Sequence, residues 1–258
     1  MNRIDERFAK VKADGRKALI TFLTVGDPNM EVSEKAIYTM QEEGVDLIEL
    51  GVPFSDPAAD GPVIQRADER ALAQGVDIFK VFELVRKIRN NVEVPMVFLL
   101  YYNVMVQYGI EKFFKRCQET GVDGLIIPDL PYEESDEIKE YTEKYGVYQI
   151  SLVSPTSKDR IKNIAKDAKG FLYCISSLGV TGEKSSFVTN FDEFVGTIKK
   201  YTDVPACVGF GVSNGRQVKE LTKYFDGAIV GSAIVKSIAT GESVEERINN
   251  LREKIKDL

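Results

Sequence analysis

The sequence predicts an α/β protein built as one (β/α)8 barrel, and three observations lead to this fold class. Eight short apolar runs alternate with longer amphipathic stretches along the 258 residues, a pattern typical of right-handed βαβ units and a parallel sheet. Eight such units occupy about 250 residues in a closed barrel of the TIM type. No linker or low-complexity tract divides the chain, so we expect residues 1–258 to form a single domain.

The predicted strands are short, apolar and rich in β-branched residues. They are Ala18–Thr24, Asp46–Leu50, Met96–Tyr101, Gly124–Ile127, Tyr148–Val153, Gly170–Ile175, Ala206–Phe210 and Gly227–Val230. The predicted helices show apolar residues at helical spacing. They are Val32–Glu43, Ile78–Asn90, Ile110–Thr120, Glu134–Tyr145, Lys158–Asp167, Phe191–Tyr201, Gly215–Tyr224 and Val244–Lys256, with an extra N-terminal helix expected at Asp5–Lys12. The alternative is an open doubly wound sheet, but no G-x-G-x-x-G motif follows the first strand.

Composition and charge narrow the possible functions. The net charge of −6 argues against nucleic acid or an anionic membrane as the main partner. The longest apolar region, residues 94–106, is interrupted by Pro95 and Asn103 and is too short to span a bilayer. The charged first residues indicate no signal peptide. Three cysteines without metal-ligand spacing indicate core thiols and a cytoplasmic protein. They are Cys117, Cys174 and Cys207.

The chain contains no histidine. This excludes Ser–His and Cys–His nucleophiles and any histidine-ligated zinc or iron site, and we predict no metal site. Proton transfer must therefore use carboxylates, tyrosine, cysteine, lysine or water.

The strongest candidates for proton transfer are Glu49 and Asp60. Glu49 lies inside an apolar strand, where an isolated charge is costly to bury. Asp60 follows in a loop stiffened by prolines, near the strand end where barrel active sites lie. Each acid has a structural alternative. Glu49 could be an ion-pair partner and Asp60 a helix cap, while for Asp56 a turn or interface role is favoured over chemistry.

Glycine turns after the last two strands indicate a phosphate site, because barrels of this kind commonly bind phosphate there. Glycine lets backbone N–H groups approach an anion. The candidates are Gly211, Gly231 and Ser232, with simple tight turns as the alternative. A long polar loop after the sixth strand, residues 176–186, is typical of a lid. Thr181 and Gly182 are its expected ligand contacts, the alternative being a plain surface connection.

Together these segments resemble the tryptophan synthase alpha chain family, in the family's order over nearly the whole chain. The main motifs are Glu49 to Pro62 (ELGVPFSDPAADGP), Tyr173 followed by Gly179-Val180-Thr181-Gly182, Gly209-Phe210-Gly211, and Gly231 to Lys236. Shorter matches are Thr24 to Pro28, Tyr101-Tyr102-Asn103 and Pro128-Asp129-Leu130-Pro131. One departure is Ala58, where leucine is common.

The resemblance implies retro-aldol cleavage of indole-3-glycerol phosphate to indole and glyceraldehyde 3-phosphate. It gives the role of principal acid and base to Glu49, contact with the indole N–H to Asp60, and positioning of the substrate to Tyr173. An apolar pocket for indole would be walled by Phe22, Leu100 and Phe210, although each of these types is also common in cores.

The resemblance also implies a partner, a tryptophan synthase beta chain in an alpha2-beta2 complex. Indole would pass to that chain, where pyridoxal phosphate joins it to serine, and no cofactor is expected in this chain. The natural docking surface is the set of loops around Asp56, Asn103 and Pro131. Two alternatives stay open: a free-standing lyase, and a phosphate-binding barrel without catalysis. A Schiff-base aldolase is disfavoured because Lys236 lies beyond the last strand.

Overall fold

The strands of this chain form one parallel sheet that closes into a barrel. The computed structural model describes residues 1–157, 159–175, 190–209 and 211–258. Within those residues the strands are β1 Ala18–Thr24, β2 Leu47–Gly51, β3 Met96–Leu99, β4 Gly124–Ile126, β5 Tyr148–Gln149, β6 Leu152–Val153, β7 Leu172–Ile175, β8 Ala206–Gly209 and β9 Gly227–Val230. Their order is β5-β4-β3-β2-β1-β9-β8-β7-β6, and all pairings are parallel.

The first and last strands in that order are two pieces of one extended segment, residues 148–153. The Ile150 N–H donates to the Leu125 carbonyl at 2.8 Å on one side, and the Tyr173 N–H donates to the Ser151 carbonyl at 3.0 Å on the other. The ring therefore closes through the predicted fifth strand, which is divided between its two neighbours. The predicted barrel is confirmed, and the open doubly wound sheet is not.

The described residues contain twelve α-helices. They are α1 Arg3–Ala13, α2 Met30–Glu42, α3 Pro62–Ala73, α4 Ile78–Ile88, α5 Tyr102–Tyr108, α6 Ile110–Thr120, α7 Asp136–Tyr145, α8 Ile161–Asp167, α9 Phe191–Lys199, α10 Gly215–Leu221, α11 Ser232–Ala239 and α12 Val244–Lys256. The N-terminal helix α1 was expected, whereas α3, α5 and α11 are additional to the predicted set. No helix in the described part of the chain is long and apolar enough to cross a membrane.

Side chains inside the barrel alternate with side chains that face the helices, as the period of a strand requires. An inner apolar cluster contains the strand residues Ile20, Leu47, Val97 and Ile229. Ile4 and Phe8 of α1 and Phe171, directly before β7, belong to the same cluster. Helix α1 thereby closes the N-terminal end of the barrel with apolar side chains. The opposite end, where the strands finish, is left for the loops and the candidate site.

Two buried aspartates tie the N-terminal end of the barrel together. Asp46, directly before β2, accepts hydrogen bonds from both terminal nitrogens of Arg16, at 3.2 and 3.0 Å. Asp123, directly before β4, accepts from Arg3 at 2.7 Å and from Arg89 at 3.2 Å. Both aspartates are nearly inaccessible to solvent and are paired, so they act as anchors between strands and helices.

Candidate active site

Glu49 lies in the middle of β2 and faces the barrel interior. It is the register partner of Phe22 on β1 and of Val97 on β3. Its side chain is fully buried, and neither carboxylate oxygen has a hydrogen-bond partner among the described residues. Burial raises the pKa of Glu49 from 4.5 to about 8, because the charged form loses its hydration. At neutral pH this carboxyl is therefore protonated and can donate a proton.

Asp60 lies in the loop between β2 and α3, and a tyrosine from the next strand loop holds it. The Tyr101 hydroxyl donates to Asp60 Oδ2 at 2.8 Å and accepts from the Ala59 N–H at 2.9 Å. Burial raises the pKa of Asp60, and the Tyr101 hydrogen bond opposes that rise. Asp60 does not cap α3, since the N-cap residue is Gly61 and no side chain caps that helix among the described residues.

Tyr173 reaches the same region from β7. Burial foremost, and then the charges of Glu49 and Asp60, raise the pKa of Tyr173 well above its ordinary value, so its hydroxyl stays protonated. The ring occupies space that a side chain at Gly209 would fill, because a Cβ there would lie 2.5 Å from the Tyr173 hydroxyl oxygen. The structure thus brings together the three predicted residues Glu49, Asp60 and Tyr173 at one end of the barrel.

The apolar wall beside these groups is built around Phe22. This side chain is buried and clusters with Ala67 and Val235, and Leu99 packs against the cluster. Leu100 does not belong to it, because the structure places Leu100 in the outer layer between the strands and the helices. Successive residues of a strand face opposite sides, so Leu99 shares the inward face with Val97 while Leu100 points away. Strict period-two counting from Val97 could have found this.

The turn between β9 and α11 has the features of an anion site. Helix α11 begins at Ser232, and its N-cap residue, Gly231, has no side chain to occupy the first N–H groups. A Cβ on Gly231 would lie 3.6 Å from the Cβ of Phe22, so this turn adjoins the apolar wall. The first turn of α10 differs, because the Asn214 side chain already accepts from the Gln217 N–H at 3.0 Å.

The other predicted ligand contacts are placed unequally. Gly211 has a φ of +77°, a conformation that favours glycine, in the turn that precedes α10. Thr181, Gly182 and Phe210 lie outside the described residues. Their predicted roles therefore stay predictions.

Sequence reasoning assigned no functional role to two side chains that interact with Asp60, namely Tyr101 and Asp68. Tyr101 entered only as part of a short matching motif. Asp68 is 5% exposed on the inner face of α3, between Ala67 and Ala71 in the pattern of buried positions. Burial, followed by the charge of Asp60, raises the pKa of Asp68 to about 8. An acid at an apolar position of an amphipathic helix was the available signal.

A groove elsewhere on the molecule offers no comparable chemistry. It measures about 640 Å³ and runs between α7 and α8, away from Glu49 and Asp60. Its ionisable lining mixes four bases with four acids, so it has no preference for an anion or a cation. They are Lys139, Arg160, Lys166 and Lys169 against Glu133, Asp136, Glu143 and Asp167. No cluster of metal-ligating side chains occurs in the described part of the chain.

A closed parallel barrel with a buried, protonated carboxyl and a second acid near its strand ends defines a (β/α)8-barrel enzyme, because active sites of this fold lie at that end. The comparison with known families identifies which one. The model described as tryptophan synthase alpha chain matches residues 8–258, and the chain belongs to that family. Its reaction is the lyase half-reaction of tryptophan synthase, which cleaves indole-3-glycerol phosphate.

Individual relatives agree over the full length. The tryptophan synthase alpha chain of Thermoanaerobacter sp. (strain X514) is 48% identical over 258 residues, which cover 100% of this chain and 98% of the relative. The crystal structure of tryptophan synthase subunit alpha from Legionella pneumophila is 34% identical with a TM-score of 0.86, and 100% of each chain is covered. A structure of Mycobacterium tuberculosis tryptophan synthase is 35% identical with a TM-score of 0.88, covering 99% of this chain and 96% of that one.

Proposed function

We propose that Glu49 and Asp60 carry out the cleavage of indole-3-glycerol phosphate in this chain. Protonated Glu49 gives its proton to indole C3, which places positive charge on the ring nitrogen. The resulting Glu49 carboxylate then takes the proton from the hydroxyl on the adjacent glycerol carbon. As that carbon becomes an aldehyde, the bond to C3 breaks and its electrons neutralise the ring nitrogen. Indole and glyceraldehyde 3-phosphate leave, and Glu49 ends protonated as it began.

The observation that carries this assignment is the fully buried Glu49 carboxyl without a partner in the described part of the chain. A single group can serve first as acid and then as base when its pKa lies near the working pH. The pKa of about 8 for Glu49 satisfies this condition. Asp60 supports the intermediate differently, because a carboxylate can stabilise the positive charge that develops on the indole N–H.

Binding of the substrate is supported by three features of the same end of the barrel. The N-terminus of α11, with Gly231 and Ser232, offers backbone N–H groups to the phosphate. Phe22 and Leu99 provide an apolar surface for the indole ring. Tyr173, buried near the charges of Glu49 and Asp60, positions the substrate or the acids. We extend the phosphate assignment to Gly211 and Gly182, the positioning of the substrate to Thr181, and the apolar wall to Phe210.

The test is the substitution Glu49→Gln, which keeps the side-chain shape and removes the ability to exchange a proton. We expect indole release to fall at least about 1,000-fold, a loss of about 4 kcal/mol in transition-state stabilisation. Affinity for a substrate analogue that lacks the reacting hydroxyl should change less than about 3-fold. Glu83→Gln, at an exposed position of α4, is the control. Retention of most turnover by Glu49→Gln would identify another acid, or a barrel that only binds the phosphate ligand.

We also propose that the chain works in the cytoplasm with a tryptophan synthase beta chain, in an alpha2-beta2 complex, and holds no cofactor itself. Pyridoxal phosphate would belong to the beta chain. Val106 on α5 is 46% exposed and close in sequence to Asn103, which supports docking through the loops around Asp56, Asn103 and Pro131. Three buried, free cysteines agree with a reducing compartment.

Co-purification with a beta chain, and turnover measured with and without it, test the partnership. We expect a stable complex and a faster release of indole when the beta chain is present. A high rate that an added beta chain leaves unchanged would support a free-standing lyase.

A further inference from the structure

We infer that Tyr101 is a positioning residue for Asp60: its hydroxyl keeps the Asp60 carboxylate both oriented toward the substrate nitrogen and ionised. Tyr101 acts through Asp60, so the inference rests on the role proposed for Asp60 above. Tyr101 itself would exchange no proton with the substrate.

The hydroxyl of Tyr101 makes two hydrogen bonds, and together they fix its direction. It accepts from the Ala59 N–H at 2.9 Å, and its own hydrogen goes to Asp60 Oδ2 at 2.8 Å. An ionised carboxylate has no hydrogen to donate, so the Asp60 oxygen is the acceptor in the second bond. One side chain thereby holds the Asp60 carboxyl and the backbone that carries it.

The ring of Tyr101 is itself held firmly. It is 5% exposed and stacks on Phe54 with ring centroids 5.0 Å apart and an interplanar angle of 22°. Tyr101 is the N-cap residue of α5, and the first N–H of that helix, from Tyr102, donates to Asp129 Oδ1 at 2.9 Å. The loop after β4 thus fixes the start of α5 through Asp129. Tyr101, at that start, in turn fixes the Asp60 carboxyl through its hydroxyl.

The surroundings of the Asp60 carboxyl explain why a donor is needed there. Asp68 lies on α3 beside Asp60, and the charge of Asp60 contributes to the raised pKa of Asp68. Arg70 on the same helix does not pair with either of these acids, because its guanidinium donates to both oxygens of Asp27, at 2.7 and 2.9 Å. Burial also works against ionisation of Asp60, whereas the hydrogen bond from Tyr101 favours it. Removal of the hydroxyl should therefore raise the pKa of Asp60.

The experiment compares Tyr101→Phe with Tyr148→Phe. Each variant loses one tyrosine-to-aspartate hydrogen bond, since the Tyr148 hydroxyl donates to Asp5 at 2.7 Å, at the opposite end of the barrel. Tyr101→Phe keeps the ring and its stacking on Phe54. We expect Tyr101→Phe to lower kcat for indole release about 10- to 100-fold, because a misdirected carboxylate stabilises the intermediate poorly. Tyr148→Phe should keep kcat within about 2-fold.

The pH profile of kcat/KM separates positioning from a merely structural role. Asp60 must be ionised to act, so activity rises as the pH passes its pKa. A higher pKa of Asp60 in Tyr101→Phe moves this acidic limb to higher pH, while Tyr148→Phe leaves it in place. A Tyr101→Phe enzyme with the wild-type acidic limb and wild-type kcat would overturn the inference.

Asp60→Asn distinguishes failure of this inference from failure of the proposed function. In the Asp60→Asn background, Tyr101→Phe should lower kcat by less than about 2-fold, because its effect passes through the missing carboxylate. Independent, multiplying losses would contradict the inference alone. If Asp60→Asn by itself kept normal turnover, the role proposed for Asp60 would be wrong whatever Tyr101 does.

Discussion

Two acids, one directly before β2 and one in the middle of it, have the same burial and opposite chemistry. Asp46, directly before the strand, is 1% exposed and accepts hydrogen bonds from Arg16 and from the Leu19 N–H at 3.0 Å. Glu49, within the strand, is fully buried and has no partner in the part of the chain that the structure describes. Burial alone therefore does not decide the role of an acid. Its partners do, because an unpaired acid stays neutral while a paired one can stay charged.

The same contrast extends around the barrel. At the N-terminal end, Asp123 accepts from Arg3, from Arg89 and from the Met96 N–H at 2.9 Å. At the other end, Asp60 accepts from the neutral hydroxyl of Tyr101. One end uses acids with cationic partners to join elements together. The other end holds Glu49, whose pKa burial raises to about 8, and Asp60, whose pKa burial also raises.

The largest stability effect should come from Asp46→Asn. The amide keeps the shape of the side chain but leaves the hydrogen bonds from Arg16 and Leu19 weakened or mismatched. We expect the free energy of unfolding to fall by about 3 kcal/mol, measured by urea denaturation. Glu49→Gln is the matched substitution on the same strand and should not destabilise the protein at pH 7. Equal losses in the two variants would remove the distinction between anchoring and reacting acids.

A second, smaller effect concerns pH. The pKa of Glu49 is about 8 in the folded chain against an ordinary 4.5, so the folded state holds a proton that the unfolded state releases. Stability contributed at this site is therefore lost as the pH rises from about 4.5 to about 8. Relative to Glu49→Gln, the wild-type chain should lose about 2 kcal/mol between pH 5 and pH 7. Parallel stability curves for the two proteins would contradict a protonated Glu49.

The smallest effect tests the position of the Phe22 ring at the end of the barrel where the strands finish. A Cβ on Gly51, at the end of β2, would lie 2.5 Å from the Cζ atom of Phe22, so Gly51→Ala must displace the ring. We expect a loss of about 1 kcal/mol in stability and a larger loss of substrate affinity, since the apolar wall moves. Gly196→Ala on α9 has no atom within 4 Å of the added Cβ and is the control. Unchanged substrate KM in Gly51→Ala would place the indole site away from Phe22.

Local pattern was enough to predict the barrel and the acids at its mouth. Alternating apolar runs and amphipathic stretches repeat in short segments, and eight repeats have few ways to close. Glu49 stood out because it interrupts an apolar strand, and Asp60 because it follows in a proline-rich loop. The division of the fifth strand and the seven-residue helix α5 were missed, since short elements carry too few residues to show a period.

The pattern was misapplied for one facing direction, and it cannot reveal a distant partner. Leu100 was expected at the indole wall, but its side chain packs in the outer layer. Leu99, one residue earlier in the chain, packs against the Phe22 cluster instead.

The chain's own residue order thus dictates which acids become buried, because periodicity records burial within a few neighbouring residues. The folded barrel decides what each buried acid does. Arg16 donates a hydrogen bond to Asp46, 30 positions away in the sequence, and Tyr101 donates one to Asp60, 41 positions away. No described residue forms a hydrogen bond with the Glu49 carboxyl. Such pairings depend on where closing the ring brings distant loops together, and this decides which acid is paired and which is left without a hydrogen-bond partner in the described part of the chain.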